Sequence, residues 1–239
     1  MTIRACDFHS HVLPGMDDGS KSVEESIAML RAEAEQGIQT VVATPHFYAQ
    51  HDTPERFLEK RARAERELRE AMAEEEGLPE LQIGAEVYYF SGISDSDIVT
   101  QLTIAGKNSI LLEMTHTPWT QRMYREMEEI RGKHGVLPII AHVDRYISPF
   151  RTYGIPERLE QLPVLVQANA SFFLKPGTRN MALRLLSRDR IHLLGSDCHN
   201  MTDRPPNLGK AIELIRHRLG QEALDRISLY QSELLQNET

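Results

Sequence analysis

Seven short apolar runs, each stopping at a polar residue able to carry chemistry, constrain this chain more than any other feature of its sequence. They are Ile3 to Phe8, Thr40 to Ala43, Leu81 to Ala85, Ser109 to Leu112, Val136 to Ala141, Val164 to Ala168 and Ile191 to Leu194. The residues that follow them include His9 and His11, His46, Glu86, Glu113, His142, Asn169, and finally Asp197 and His199. Short apolar runs alternating with helical stretches predict parallel βα units. Polar groups just past the C-terminal strand ends sit where barrel active sites are built. An open doubly wound sheet gives the same alternation, but it gathers side chains mainly at its switch point. The expected fold is therefore α/β, with seven strands where the usual barrel has eight.

The segments between the runs carry helix signals. Ser22 and Glu25 form a capping-box pattern ahead of Val23, Ile27, Leu30 and Ala34, and Gly37 ends that helix. Pro54 opens a long charged helix over residues 53–76, whose Arg and Glu face reads as solvated surface. Met123, Met127 and Ile130 line a further helix, as do Met181 and Leu185, and then Leu208, Ile212, Ile215 and Leu219. One or two short helical pieces are expected in the tail to Thr239. No linker, low-complexity tract or internal repeat divides the chain, so residues 1–239 read as one domain.

The formal charge of -8 argues against a nucleic-acid partner held by bulk electrostatics, while leaving room for a basic pocket that takes one phosphate. Cys6 and Cys198 make no disulfide framework, which favours a reducing compartment. With no apolar leader, and no apolar run near the ~20 residues of a membrane helix, the chain is expected to be cytoplasmic and not inserted in a membrane.

The stretch DFHSHVLPGMDDG, Asp7 to Gly19, concentrates the chemistry. In extended backbone His9 and His11 point the same way and can address one ion, and the turn at Pro14 and Gly15 can bring an aspartate back beside them. The candidate ligands are His9, His11, Asp18, His46, Glu86, Glu113, His142, Asp197 and His199. Nine nitrogen and oxygen donors exceed the needs of one four-coordinate zinc, so two or three ions are expected. A carboxylate such as Glu86 can bridge neighbouring ions. Mixed imidazole and carboxylate ligation suits manganese, iron or zinc better than calcium. Clustered divalent ions acidify bound water, which points to hydrolysis of a phosphate ester.

The segments DFHSHVLPGMDDG, ATPHF, GAEVYY, AHVDRY, QAN and GSDCHN together resemble the polymerase-and-histidinol-phosphatase (PHP) superfamily, and within it the bacterial manganese-dependent capsule-biosynthesis tyrosine phosphatases. The resemblance runs in order from Asp7 to about Arg204. It implies a distorted seven-stranded (β/α) barrel of the PHP type holding three divalent ions, most often manganese. His9 and His11 would share the first ion with Asp197 and a bridging Glu86; Glu113 and His142 would serve its neighbours, and Asp18, His46 and His199 would complete the set. Arg145 and Arg204 match the arginines that bind the phosphoryl group, a task suited to a guanidinium, which can hold two oxygens at once. The implied substrate is a phosphotyrosine protein, specifically a kinase controlling polysaccharide synthesis. Where the family commonly has Pro-Glu-Arg after the histidine, this chain has Val143, Asp144 and Arg145 after His142, which bears on substrate preference more than on metal binding.

Other readings stay open at this point: a phosphatase of histidinol phosphate or another small ester, or a metal-stabilised regulatory domain without turnover. Cys198 and Arg204 also have the spacing of a thiol phosphatase loop, but HNMTD between them lacks the glycine such a phosphate cradle needs. Tyr88, Tyr89, Phe90, Trp119, Phe172 and Phe173 are either walls for a phosphotyrosine ring or ordinary packing, with Tyr88 and Tyr89 favoured as walls because they follow Glu86.

Overall fold

The computed structural model describes residues 5–235. Its strands are β1 Ala5–Ser10, β2 Ile38–Ala43, β3 His46–Phe47, β4 Glu80–Ile83, β5 Glu86–Tyr88, β6 Ser109–Glu113, β7 Leu137–Ile140, β8 Leu165–Asn169 and β9 Leu193–Gly195. All pair in parallel, in a three-stranded sheet β1-β2-β4 and a six-stranded sheet β3-β5-β6-β7-β8-β9. The fold is thus mixed α/β, with the larger sheet curled into a half-barrel.

The expected seven runs all carry strand, but two of them break. The second runs through Thr44 and Pro45 into β3, and the third runs through Gly84 and Ala85 into β5. Pro45 has no N–H to give a ladder. At Gly84 a β-carbon would stand 3.1 Å from Ile104 Cγ1, so the backbone is pressed close against its neighbour there. The chain stays laterally tied across the break, since Gly84 N donates to Ala43 O at 2.8 Å and Glu86 N to Pro45 O at 3.0 Å. At the far edge, the end of β9 is stitched to the end of β1. Ser10 and Cys198 form a parallel bridge, with His11 N donating to Cys198 O at 2.9 Å and Asp197 N to His9 O at 2.8 Å. These links bring the polar residues at the chain's two ends into one place.

The first expected strand began at Ile3; Ile3 and Arg4 lie outside the described residues, and β1 runs on to Ser10, so His9 is inside the strand. The sheet is covered on both faces, which is why β6 reads as a continuous apolar run: Ile110, Leu111 and Leu112 are all fully buried. The helix Val23–Glu35 is capped by Ser22, which accepts from Glu25 N, but Glu25 accepts from Lys21 N, so only half the capping box forms. Thr53 caps the helix Pro54–Met72, which buries Phe57, Ala64 and Leu68 and stops four residues short of the expected Glu76. Helices Gln121–His134, Pro176–Ser187 and Leu208–Leu219 follow the expected faces. The tail, expected to hold one or two short helical pieces, forms one helix of 15 residues, Gln221–Leu235, and residues 236–239 lie outside the described residues.

Candidate metal centre

The strand ends deliver the nine expected ligands to one cluster. His9 lies in β1 and His11 just beyond it; His46 opens β3, Glu86 opens β5, Glu113 closes β6, His142 follows β7, and Asp197 and His199 follow β9. His9, His11, Glu86 and His142 are wholly buried, and Glu113, Asp197 and His199 nearly so. Asp18 alone stands out to solvent, its side chain 68 % exposed, yet Oδ1 comes within 3.4 Å of His199 Nε2 and 3.7 Å of His46 Nε2.

Glu86 is the hub. Its Oε1 lies 2.6 Å from His142 Nε2, while Oε2 lies 3.0 Å from His46 Nδ1, 3.1 Å from His9 Nε2 and 3.3 Å from His11 Nε2. Asp197 Oδ1 joins at 3.5 Å from His11 Nε2 and 3.7 Å from His9 Nε2. Glu113 reaches to 3.6 Å from His142 Nε2 and 3.7 Å from His46 Nδ1.

Three of the histidines have their Nδ1 atoms engaged away from the cluster's centre. His11 Nδ1 donates to Asp17 Oδ2 at 2.8 Å, His9 Nδ1 to Gln167 Oε1 at 3.2 Å, and His199 Nδ1 to the Asp197 carbonyl at 3.0 Å. Gln167 Oε1 also accepts His142 N–H at 2.6 Å, which fixes its amide orientation. Each acceptor holds the proton on Nδ1, so the Nε2 lone pair faces inward. His9 Nε2 and His11 Nε2 then meet at 3.2 Å beside Glu86 Oε2, an arrangement that a divalent cation fits.

The donor set fits divalent ions. Glu86 Oε2, Glu113 Oε2, His46 Nδ1 and His199 Nε2 are buried and have no hydrogen-bond partner among the described residues, a state that is costly without a cation. Three overlapping groups place one donor atom per residue within 4.8 Å of each other: His11, Asp18, His46 and His199; His9, His11 and Glu86; His46, Glu86 and Glu113. Burial would raise the Glu86 carboxyl, but His9 and His142 outweigh it and hold it well below the usual carboxylate range. Glu113, pushed by burial and then by the charge on Glu86, rises to about 7. The Glu86 charge thus works against ionisation of Glu113, a repulsion that a cation between them would relieve.

Two guanidiniums close the mouth. Arg145 Nη2 pairs with Asp197 Oδ2 at 2.5 Å and Arg204 Nη2 with Asp197 Oδ1 at 2.7 Å, and both arginines are partly exposed. Backbone geometry here is unusual: His142 and Asp197 hold φ of 32° and 55°. Such conformations persist where surrounding structure imposes them, often at functional sites. Gly195 is required for a different reason, since a β-carbon would sit 2.5 Å from His9 Cβ.

The structure also corrects and extends the sequence reading. Asp17, passed over for its neighbour Asp18, accepts three N–H groups: His11 Nδ1, His46 N at 2.8 Å and Gly19 N at 2.9 Å. The adjacency of two aspartates was the available signal, because neighbours in a turn point to opposite sides. Gln167 and Asn169 in QAN hold His9 and Asp197, the latter through Asn169 Nδ2 to Asp197 Oδ2 at 2.8 Å. Tyr89, Phe172 and Phe173 are core rather than wall, and Tyr89 donates to Glu126. Tyr88 packs on Tyr48, whose ring in turn lies 5.3 Å from that of His46. Cys198 is buried, and burial together with the Glu33 charge pushes its thiol well above the ordinary range, the opposite of an activated nucleophile.

Replacing Asp17 with Asn should lower metal affinity by roughly 10- to 100-fold, the scale of an orienting partner. Asn has one acceptor oxygen to offer three donors, and its NH₂ would face one of them. A metal titration of the folded variant checks this; wild-type affinity would mean that His11 is oriented without Asp17.

Among known proteins, the chain is 29% identical over 225 residues to the tyrosine-protein phosphatase CpsB of Streptococcus pneumoniae, covering 90% of each chain. It is 27% identical over 243 residues to the tyrosine-protein phosphatase YwqE of Bacillus subtilis, covering 98% of this chain and 92% of that one. A crystal structure from the pair YwqE and CpsB, described as unique metal-dependent tyrosine phosphatases, superposes with a TM-score of 0.83 at 23% identity, over 98% of this chain and 95% of that chain. Because the model of the capsular polysaccharide synthesis family, CpsB/CapC, matches residues 5–236, the chain belongs to that family.

Proposed function

We propose that this chain is a metal-dependent protein-tyrosine phosphatase, one domain in which His9, His11, Asp18, His46, Glu86, Glu113, His142, Asp197 and His199 hold three divalent ions, most often manganese. The observation that carries the reading is the convergence of inward-facing Nε2 lone pairs and unpartnered carboxylate oxygens beneath two arginines. The names borne by the relatives support the choice of phosphotyrosine. In this reading β2 with β3, and β4 with β5, count as one strand each, giving a seven-stranded distorted barrel. The substrate is a tyrosine-phosphorylated protein, for which a kinase of polysaccharide synthesis in the same cytoplasm is the candidate. Among the described residues no helix is long and apolar enough to cross a membrane.

The chain's own groups divide the work. When bound, the ions supply Lewis acidity and an acidified water. Asp197 holds both guanidiniums at the mouth before substrate arrives, so little ordering remains when they take up the phosphoryl oxygens. Glu86 presents its two oxygens to different histidines, the disposition a bridging carboxylate needs. A tyrosine leaving group, of pKa about 10, is acidic enough to depart without a dedicated acid from the chain, which leaves His46 and His199 free to serve as ligands.

Manganese-loaded protein assayed against a phosphotyrosine peptide, histidinol phosphate and a phosphodiester is expected to turn over the peptide best. A chelator should abolish that turnover, and thiol alkylation should not. Preference for histidinol phosphate would move the reading to a small-molecule phosphatase, and elemental analysis of the purified protein would identify the ions.

A further inference from the structure

We infer that the cleft beside Arg145 is a specificity subsite that takes an acidic peptide segment flanking the phosphotyrosine; this rests on the phosphatase reading above. The cleft has a volume of about 470 Å³ and adjoins the metal centre without containing it, sharing only Arg145 with the mouth. A ladder of rings leads out from the cluster. Tyr146 lies 5.7 Å from His142, Trp119 lies 5.0 Å from Tyr146, and Tyr124 lies 5.7 Å from Trp119.

That wall is fixed in place. The Tyr146 hydroxyl accepts from Met114 N at 2.8 Å, and Trp119 Nε1 donates to the Thr115 carbonyl at 3.1 Å. A fixed wall loses little entropy when a chain settles on it. Its outer end carries two more arginines. Arg158 lies over the Tyr124 ring at 3.9 Å from the centroid, and Arg151 lies 5.7 Å from that of Tyr153. Neither has an ion-pair partner among the described residues, and no aspartate or glutamate lines the cleft. In a chain of net charge -8, Arg151 and Arg158 in a cleft lined by no carboxylate, beside an Arg145 already paired with Asp197, are a local reversal of sign that favours an anionic occupant.

The rim indicates polypeptide. Backbone bonds between Ser148 and Arg151, both at 3.0 Å, close a tight turn that presents Phe150 at 99% exposure, and Tyr153 is 60% exposed nearby. An aromatic held out at the edge of a basic cleft suits contact with a chain running across it rather than with a small ester held within it.

The test compares three phosphotyrosine peptides of equal length, flanked by Glu, by Ala or by Lys, on the manganese-loaded full chain. Wild-type kcat/KM is expected to favour the Glu peptide over the Ala peptide by about tenfold, the scale of one partly desolvated charge pair, mainly through KM. Arg151→Glu and Arg158→Glu should each erase that preference, and the double variant should favour the Lys peptide. Each comparison is a ratio within one preparation, so partial misfolding cancels. Equal turnover of all three peptides by wild type would overturn the subsite while leaving the phosphatase reading intact. An acidic preference that survives both charge reversals would overturn it equally. Hydrolysis of none of the peptides by protein active on another phosphate ester would overturn the phosphatase reading, and this inference with it.

Discussion

Glu86→Gln is expected to lower turnover at least about 100-fold while leaving the fold in place. Loss of an outer partner at a metal site already costs 10- to 100-fold, and in the proposed centre Glu86 is itself a ligand. Its two oxygens lie 2.6 to 3.3 Å from four different imidazole nitrogens. Gln keeps the shape and one acceptor but replaces the other oxygen with an NH₂ that can bind no cation and would face imidazole lone pairs or ions alike. The carboxylate charge that would balance the proposed cations also disappears. Backbone contacts around Glu86 are unaffected, since its N–H donates to Pro45 O and the strand pairs β3 and β6 through main-chain bonds. The measurements are steady-state kinetics after metal loading, metal content by elemental analysis, and circular dichroism. Normal turnover in metal-replete, folded protein would remove Glu86 from the bridging role.

The fold was legible because apolar runs and chemistry-bearing residues follow each other in register. A strand covered on both faces must be apolar, and a ligand must lie where the cover ends, so Glu113 after Leu112 and His142 after Ala141 announce both at once. The breaks between β2 and β3 and between β4 and β5 were not announced, because Pro45 and Gly84 act on the backbone while the apolar pattern continues past them. Asp17 was missed for a geometric reason. In a turn no simple period says which of two adjacent side chains faces inward, and here the less exposed one orients His11 while the more exposed one approaches the open side of the cluster. Arg145 and Arg204 came from resemblance alone, since nothing in their spacing distinguishes them from surface arginines. Their convergence on Asp197 depends on the pairing of β7 through β8 to β9, which brings the residue after one strand beside those after another. Trp119 stands among the candidate aromatic walls, but its cleft with Tyr146 has no signature in the sequence for the same reason: residues 115–124 and 145–158 meet only in the fold.

Arg145→Lys and Arg204→Lys should each reduce kcat/KM by roughly 10- to 100-fold. Loss of one charge-assisted hydrogen bond costs about 1.5–3 kcal/mol, and 1.4 kcal/mol is a factor of ten. Lysine retains the charge but not the planar fork that holds two oxygens together, so a purely electrostatic role for either arginine would leave the Lys variants nearly unimpaired. The pair should also be coupled. Both guanidiniums bind Asp197, one on each oxygen, so removing one frees the carboxylate to draw the other away from an incoming phosphoryl group. The double variant is therefore expected to lose less than the product of the single losses, as residues sharing a partner generally do. A double-mutant cycle on a phosphotyrosine peptide measures that coupling, with metal content followed alongside. Strictly multiplicative losses at unchanged metal content would show that the arginines act on separate groups, and the shared phosphoryl clamp would have to be abandoned.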